Sequence, residues 1–233
     1  MDLVVGRSGH ALSSWLSAQS AQFRNQVEVV AMDGFGSYKT AAKDQLAEAT
    51  TVMDPFHVMA LADVKLDLTR QRVQHDTLGH RGHTGDPLYG VRRTIRTRVP
   101  LLTTRQQSRL TSLRADDRHI AVAVTWSVYQ QIIAAYLHRD RRRGKAMMTA
   151  IIDSLRTGVP AGLDELAQLG RTLWRRRADV LAFFDHHASN GPTEAINGRQ
   201  ALRRNALGFR NLTHYRIRSL LHCGNLTHLI DAL

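Results

Sequence analysis

Short apolar runs alternate with helical patterns over the first 75 residues. Val27–Met32 is nearly continuous in β-branched and apolar residues, which predicts a strand buried on both faces. Ala49–Met53 predicts a second short strand, and Leu3–Val5 resembles the end of an earlier one. Helices are predicted over Ala11–Gln22, over Ser37–Leu46 and from Pro55 onward. The alternation of strand and helix predicts a parallel α/β unit.

Strand signals nearly vanish between Leu88 and Phe184. Helical spacing replaces them, and Trp126, Tyr129, Ile133 and Tyr136 lie at positions typical of a helix core. The predicted helices are Leu88–Thr97, Thr104–Leu113, His119–Leu137, Arg143–Arg156 and Leu163–Phe184. A last helix is predicted over Thr213–Cys223. The pattern therefore indicates a large helical insertion in an α/β chain.

The charge balance is strongly basic. Lysine and arginine number 32 against 20 acidic residues, a formal net charge of +12, which favours a polyanion such as nucleic acid as partner. Most of these cations are arginines, whose planar fork pairs with phosphate through two hydrogen bonds. Two runs, Arg139–Lys145 and Arg175–Arg177, fit either DNA backbone contact or ordinary solvated helix faces.

Cysteine content and apolar run length indicate the cellular location of the protein. Cys223 is the single cysteine, which excludes a disulfide framework and a cysteine-based zinc site and fits a reducing cytoplasm. No apolar run approaches the roughly 20 residues that a membrane span needs, and no signal peptide is visible. We therefore expect a cytoplasmic, nucleoid-associated protein without a membrane partner.

Two acidic residues stand in contexts that suggest chemistry. Asp33 follows the Val27–Met32 strand, and in open α/β sheets that end faces the ligand crevice. Glu194 lies in the first turn of a helix predicted from Pro192, with Ser189 or Asn190 as its cap. Separated carboxylates in a basic protein are typical of phosphoryl transfer with two Mg²⁺ ions about 3.5–4 Å apart. The alternative is that Asp33 merely caps the next helix.

The segment from His75 to Tyr89 carries several glycines and histidines. His75, His80 and His83 suggest a metal site, but no helical i, i+4 histidine pair with a carboxylate accompanies them. A solvated loop that touches phosphate is the favoured interpretation.

Four blocks of the chain resemble the DDE-type transposases of bacterial insertion sequences, in their ISL-three branch. They are Ala31-Met32-Asp33-Gly34-Phe35 with Tyr38, Met53-Asp54-Pro55-Phe56-His57-Val58, Ser189-Asn190-Gly191-Pro192-Thr193-Glu194-Ala195-Ile196-Asn197-Gly198, and Gly208-Phe209-Arg210-Asn211. The resemblance runs in order across nearly the whole chain, and the His75–His83 loop is part of it. It implies an RNase H-like fold with a helical insertion.

On this resemblance the expected fold class is α/β, a partial RNase H-like fold whose parallel or mixed sheet lacks its first strands. The catalytic core is expected over residues 1–75, the helical insertion over 76–184, and the helices with the catalytic glutamate over 185–233.

The resemblance also assigns roles to particular residues. Asp33 matches the second catalytic aspartate and Glu194 the glutamate, and both would hold Mg²⁺ or Mn²⁺. The expected site-supporting residues are Asp54, His57, Asn190 and Asn197, and the expected DNA-binding residues are Arg199, Arg203, Arg204 and Arg210. The implied partners are the terminal inverted repeats, target DNA, and further copies of the chain or a full-length transposase.

One departure from the family leaves the activity open. In the family the first catalytic aspartate lies on a strand well upstream of the Asp33 strand, whereas this chain starts at Met1 in a strand-like run. We therefore expect an N-terminally truncated copy, either a transposase or a non-catalytic fragment that binds DNA or full-length transposase. A helical nucleic-acid-binding protein whose two acids only cap helices is a third hypothesis.

Overall fold

A computed structural model describes residues 4–6, 8–33, 36–191, 194–195, 211 and 213–214. The chain divides into two compact units, one formed by residues 1–51 and 188–233 and the other by residues 52–187. The predicted division into a catalytic core (1–75), a helical insertion (76–184) and C-terminal helices (185–233) stays a prediction.

The first unit begins with two short helices, where one helix is predicted over Ala11–Gln22. Helix α1 covers Gly9–Ser17, and α2 covers Ala21–Asn25. The predicted single helix is wrong because the side chain of Ser20 accepts a hydrogen bond from the Phe23 amide at 3.1 Å and starts a new helix.

A short parallel sheet follows. Strand β1 covers Val29–Met32, helix α3 covers Gly36–Gln45, and strand β2 covers Thr50–Met53. The two strands pair directly, as the element order predicts. The strand end predicted over Leu3–Val5 is wrong for the described residues Val4 and Val5, which form an exposed, irregular segment. The RNase H-like arrangement stays a prediction.

The second unit is a helical bundle. Its longest helix, α4, covers Pro55–Leu78; it has a proline at its start and ends at Gly79, whose φ of 72° is left-handed. The other helices are α5 (Arg92–Arg96), α6 (Thr104–Arg114), α7 (Ile120–Tyr136), α8 (Arg141–Thr157), α9 (Asp164–Arg175) and α10 (Arg177–His186), with 3₁₀ turns at Val99–Leu101 and Asp117–His119. From Pro55 to His187 the described elements are all helical, and the insertion expected over residues 76–184 stays a prediction.

Aromatic residues of α7 enter the core, as their spacing predicts. Trp126 and Tyr129 are buried, and the Tyr136 ring stacks on Phe184 with centroids 5.4 Å apart. Burial raises the pKa of the Tyr136 phenol well above its ordinary value, and the nearby Asp54 charge adds to the effect. The aromatic stripe of α7 is therefore packing.

The helix predicted over Leu163–Phe184 is broken at Arg176. Arg176 Nε donates to Asp179 Oδ2 at 2.6 Å, and both side chains are almost fully buried. The middle arginine of the Arg175–Arg177 run therefore lies inside the bundle. A buried charge is retained only when it is paired, which explains why Asp179 accompanies it in the first turn of α10.

Candidate functional site

The strand-end aspartate lies in a cavity of the first unit. Asp33 directly follows β1 and is half-buried. The cavity has a volume of about 510 Å³, and its lining includes Trp15 of α1, Met32 and Asp33, Tyr38 of α3, and Asn190. A carboxylate at the carboxyl end of a parallel strand, beside a cavity, is suitably placed to contact a ligand.

Asn190 links the two acidic segments. Its Nδ2 donates a hydrogen bond to Asp33 Oδ1 at 3.3 Å across 157 positions of sequence. Its carbonyl oxygen accepts the backbone N–H of Glu194 at 2.9 Å, which is the i to i−4 bond of a first helical turn. The structure therefore places the start of the Glu194 helix against the Asp33 carboxylate, with the Glu194 side chain exposed.

The expected cap of that helix is also visible. Residues 191, 194 and 195 are helical, and Ser189 Oγ accepts the Gly191 N–H at 3.4 Å. Asn190 occupies the position that precedes the helix, where asparagine and serine are preferred. Its side chain reaches across to Asp33, so this residue joins a local helix start to a distant strand.

The donor atoms of this site fit a hard divalent cation. Asp33 and Glu194 offer carboxylate oxygens, which Mg²⁺ prefers, and Mg²⁺ keeps several of its waters. The two carboxylates therefore offer oxygen ligands that suit a partly hydrated ion. In the residues that the structure describes, no group of three or more histidine, cysteine, aspartate or glutamate side chains is arranged to hold a metal.

Asp54 and His57 lie in the second unit, at the start of α4. Asp54 is buried with 3% of its surface exposed, and its Oδ1 accepts the Phe56 N–H at 2.7 Å, so it caps the helix. The His57 amide bonds to the Asp54 carbonyl oxygen at 3.0 Å. These contacts explain the Asp-Pro-Phe-His block locally, and a supporting role in the site stays a prediction.

The expected DNA-binding residues Arg199, Arg203, Arg204 and Arg210, together with Asn197, lie outside the described residues. Nearby, Asn211 Oδ1 accepts the amides of Thr213 and His214 at 2.9 and 3.2 Å. This cap agrees with the helix predicted from Thr213, most of which also lies outside the described residues.

The histidine loop is organised by a carboxylate. Asp86 Oδ2 accepts the His83 amide at 2.6 Å and lies 3.7 Å from His80 Nδ1, and the two histidine rings have centroids 4.3 Å apart. His75 is still part of α4, so the loop starts later than predicted. The contact with phosphate stays a prediction.

Sequence reasoning gave no role to two aromatic residues of the cavity. Trp15 lies within the predicted Ala11–Gln22 helix, and Tyr38 belongs to the first of the four sequence blocks. Both line the cavity that contains Asp33. Tyr38 lies five residues after Asp33, in the first turn of α3, and that spacing was the available signal.

Several arginines are exposed on the second unit. Arg139 and residues 141–143 are exposed around the start of α8, where Asp140 caps the helix through the amides of Arg142 and Arg143 at 2.9 and 3.3 Å.

Among the helices described here, none combines the length and the apolar character that a bilayer crossing requires.

These features define a class: a basic, mostly helical α/β protein with an acidic site at the end of a short parallel sheet. Residues 1–219 match the family model DDE_Tnp_ISL3, described as Transposase, so the chain belongs to the ISL3-type DDE transposases. The family predicted from the four sequence blocks is thereby confirmed. Comparison with curated proteins and with solved structures gave no match.

Proposed function

We propose that this protein is a DDE transposase that cleaves DNA at the ends of an insertion sequence and transfers the strand to target DNA. The reaction is a metal-dependent phosphoryl transfer, with Asp33 and Glu194 as the acidic residues. Family membership supports transposition and DNA as substrate. The net charge of +12 supports a polyanionic partner. The proposal places the protein with DNA in the nucleoid.

One observation carries the assignment of the residues. The hydrogen bond from Asn190 Nδ2 to Asp33 Oδ1, at 3.3 Å, joins two segments that are 157 positions apart. Glu194 is attached to the same asparagine through its backbone amide, at 2.9 Å. Purely local helix capping would not require these two segments to meet. Their contact supports a shared site over two independent caps.

In this proposal Asp33 and Glu194 hold Mg²⁺ or Mn²⁺, with Asn190 fixing the orientation of the Asp33 carboxylate. The bound ion would activate the attacking oxygen and stabilise the leaving oxygen. The side-chain amide of Asn190 donates to Oδ1 of Asp33 at 3.3 Å, which holds the carboxylate at the start of the Glu194 helix. The exposed Glu194 side chain can approach the same ion from the helix. Asp54, His57 and Asn197 remain proposed supporting residues, and Arg199, Arg203, Arg204 and Arg210 remain proposed DNA contacts.

The alternative is a non-catalytic basic module that binds DNA or a full-length transposase and interferes with transposition. The same charge and the same arginines support it. The two functions differ in whether the acids matter for the outcome. DNA binding alone needs neither Asp33 nor Glu194, because carboxylates repel the phosphate backbone.

The experiment compares nicking of terminal-repeat DNA in Mn²⁺ and Mg²⁺ by the wild type, Asp33→Asn and Glu194→Gln. Asp44→Asn and Glu48→Gln are matched controls, because both residues are exposed acids of the first unit outside the cavity lining. Loss of nicking in the two site variants, with retention in the controls, supports the proposal. Nicking that survives Glu194→Gln overturns the residue assignment.

DNA binding is measured in parallel on the same five proteins. Salt-sensitive binding without nicking in any of them would establish the non-catalytic alternative. Binding that is absent even at low salt would contradict both functions.

A further inference from the structure

A solvent-exposed tryptophan is surrounded by arginines on the second unit. Trp174 of α9 is 37% exposed. The guanidinium carbon of Arg156, on α8, lies 3.9 Å from the centroid of its ring, and that of Arg177 lies 5.7 Å away. Arg171 and Arg175 are exposed on the same helix as the tryptophan. Together these five residues form a surface that we name the α8–α9 patch.

A close helix crossing builds this patch. A Cβ atom at Gly170 would lie 2.6 Å from the carbonyl oxygen of Leu155, so only glycine allows α9 to approach α8 this closely. Trp174 follows Gly170 by one helical turn, and Arg156 follows Leu155 directly. The crossing therefore brings the arginine of one helix onto the aromatic ring of the other.

The positive charge of the patch is largely uncompensated. Arg171, Trp174 and Arg175 have the i, i+3, i+4 spacing that places side chains on one helix face. Arg177 forms an ion pair with Asp153 at 3.5 Å. Among the described residues, no acidic side chain forms an ion pair with Arg156, Arg171 or Arg175. Unpaired arginines beside an exposed ring offer both phosphate contacts and a stacking surface.

A small hollow lies beside the ring. Its volume is about 220 Å³, and its lining combines apolar Val159 and Ala167 with Arg156, Arg171 and Trp174. Phosphate binding alone requires neither an aromatic ring nor an apolar wall. A flat, partly apolar group such as a nucleobase would use both.

We propose that the α8–α9 patch binds unpaired bases of DNA, with a base stacked on Trp174 and the adjoining phosphates on Arg171 and Arg175. Bases in a duplex are stacked on one another and cannot reach the ring, so the patch selects single-stranded or unpaired DNA. The identification of the nucleic acid as DNA rests on the proposed function, whereas the stacking mode rests on the patch itself.

Binding of a fluorescent oligothymidylate of roughly 12 nucleotides tests the proposal, with an abasic strand of equal length and a duplex as comparison ligands. Trp174→Ala should weaken oligothymidylate binding about 5- to 150-fold and leave abasic-strand binding unchanged. Trp174→Phe keeps a ring and should retain most of the affinity. Thermal unfolding of each variant checks that the bundle remains folded.

Charge is tested by the salt dependence of the same binding. Changing both Arg171 and Arg175 to glutamine should lower the slope of log affinity against log salt by about 1.4, since each phosphate contact to a single strand contributes roughly 0.7. Arg105→Gln is the control, because Arg105 is an exposed arginine of α6 outside the patch. Equal slopes for the double variant and the wild type contradict the phosphate contacts.

Two results would overturn the proposal. One is oligothymidylate binding that Trp174→Ala leaves unchanged in a folded protein, which would make the Arg156–Trp174 contact a packing feature only. The other is an equal loss for oligothymidylate and abasic strand, which would exclude base stacking. Neither result depends on nicking, so a failure here is distinguishable from a failure of the proposed function.

Discussion

Replacing Asp179 with asparagine should destabilise the second unit strongly, because it removes one charge of a buried pair and keeps the volume. Arg176 Nε and Asp179 Oδ2 are 2.6 Å apart, with side chains 10% and 3% exposed. Because both side chains are buried, water cannot replace the negative charge that Asp179 loses. The pair lies at the break between α9 and α10, so we expect its loss to affect the position of both helices.

The magnitude follows from charge separation and burial. Two unit charges about 4 Å apart interact by about 4 kcal/mol at an effective dielectric constant near 20. Breaking a buried pair by removing one partner costs about 3–5 kcal/mol, since the remaining charge is left uncompensated. We expect Asp179→Asn to lower the free energy of unfolding by about that amount.

The measurement is urea unfolding of the wild type and the variant, followed by circular dichroism at neutral pH. Asp153→Asn is the matched control, because its partner Arg177 is 3.5 Å away and the two side chains are 51% and 37% exposed. That control should lose less than about 1 kcal/mol. Equal losses in the two variants would refute the reasoning from burial.

Three further predictions concern single contacts. Hydrogen bonds from Arg72 hold the pKa of Glu165 below its ordinary 4.5. Glu165→Gln should therefore lower the free energy of unfolding by about 1–3 kcal/mol above pH 4.5. In urea unfolding at a series of pH values, this difference should disappear as the pH falls through the lowered pKa of Glu165 in the folded protein. Gly170→Ala should lower the urea midpoint of unfolding, because the added methyl group costs about 1–3 kcal/mol in overpacking and gains about 1 kcal/mol in helix propensity. An unchanged midpoint would contradict the close crossing of α8 and α9. Hydrogen bonds from Arg118 lower the pKa of Asp116 from 3.8 to about 2, and carboxyl NMR should show this value rising towards 3.8 in Arg118→Gln.

Much of the fold was predictable from local pattern. β-branched content predicts the Val27–Met32 strand and apolar spacing predicts the helix from Pro55, and the observed elements begin within two residues of these positions. The breaks were not predictable in the same way. Ser20 and Arg176 interrupt stretches whose apolar spacing continues, and only a side-chain hydrogen bond or a buried ion pair ends the helix there.

The candidate site shows the same division between local and long-range information. Asp33 at a strand end and Glu194 at a helix start are each visible in the sequence. Their connection through Asn190 depends on tertiary structure, because no spacing rule brings together residues 157 positions apart. The exposed ring of Trp174 was also hidden, since its helical position is equally compatible with a core residue.

Iron-directed cleavage of the protein backbone tests the central claim, that Asp33 and Glu194 serve one metal. Fe²⁺ takes the place of Mg²⁺, and hydroxyl radicals generated with ascorbate and peroxide cut the chain near the bound ion. The account predicts cuts near residue 33 and near residues 190–194 together, both suppressed by excess Mg²⁺ and both lost in Asp33→Asn. Cuts at only one of these segments, or at the histidine loop after α4 instead, would contradict it.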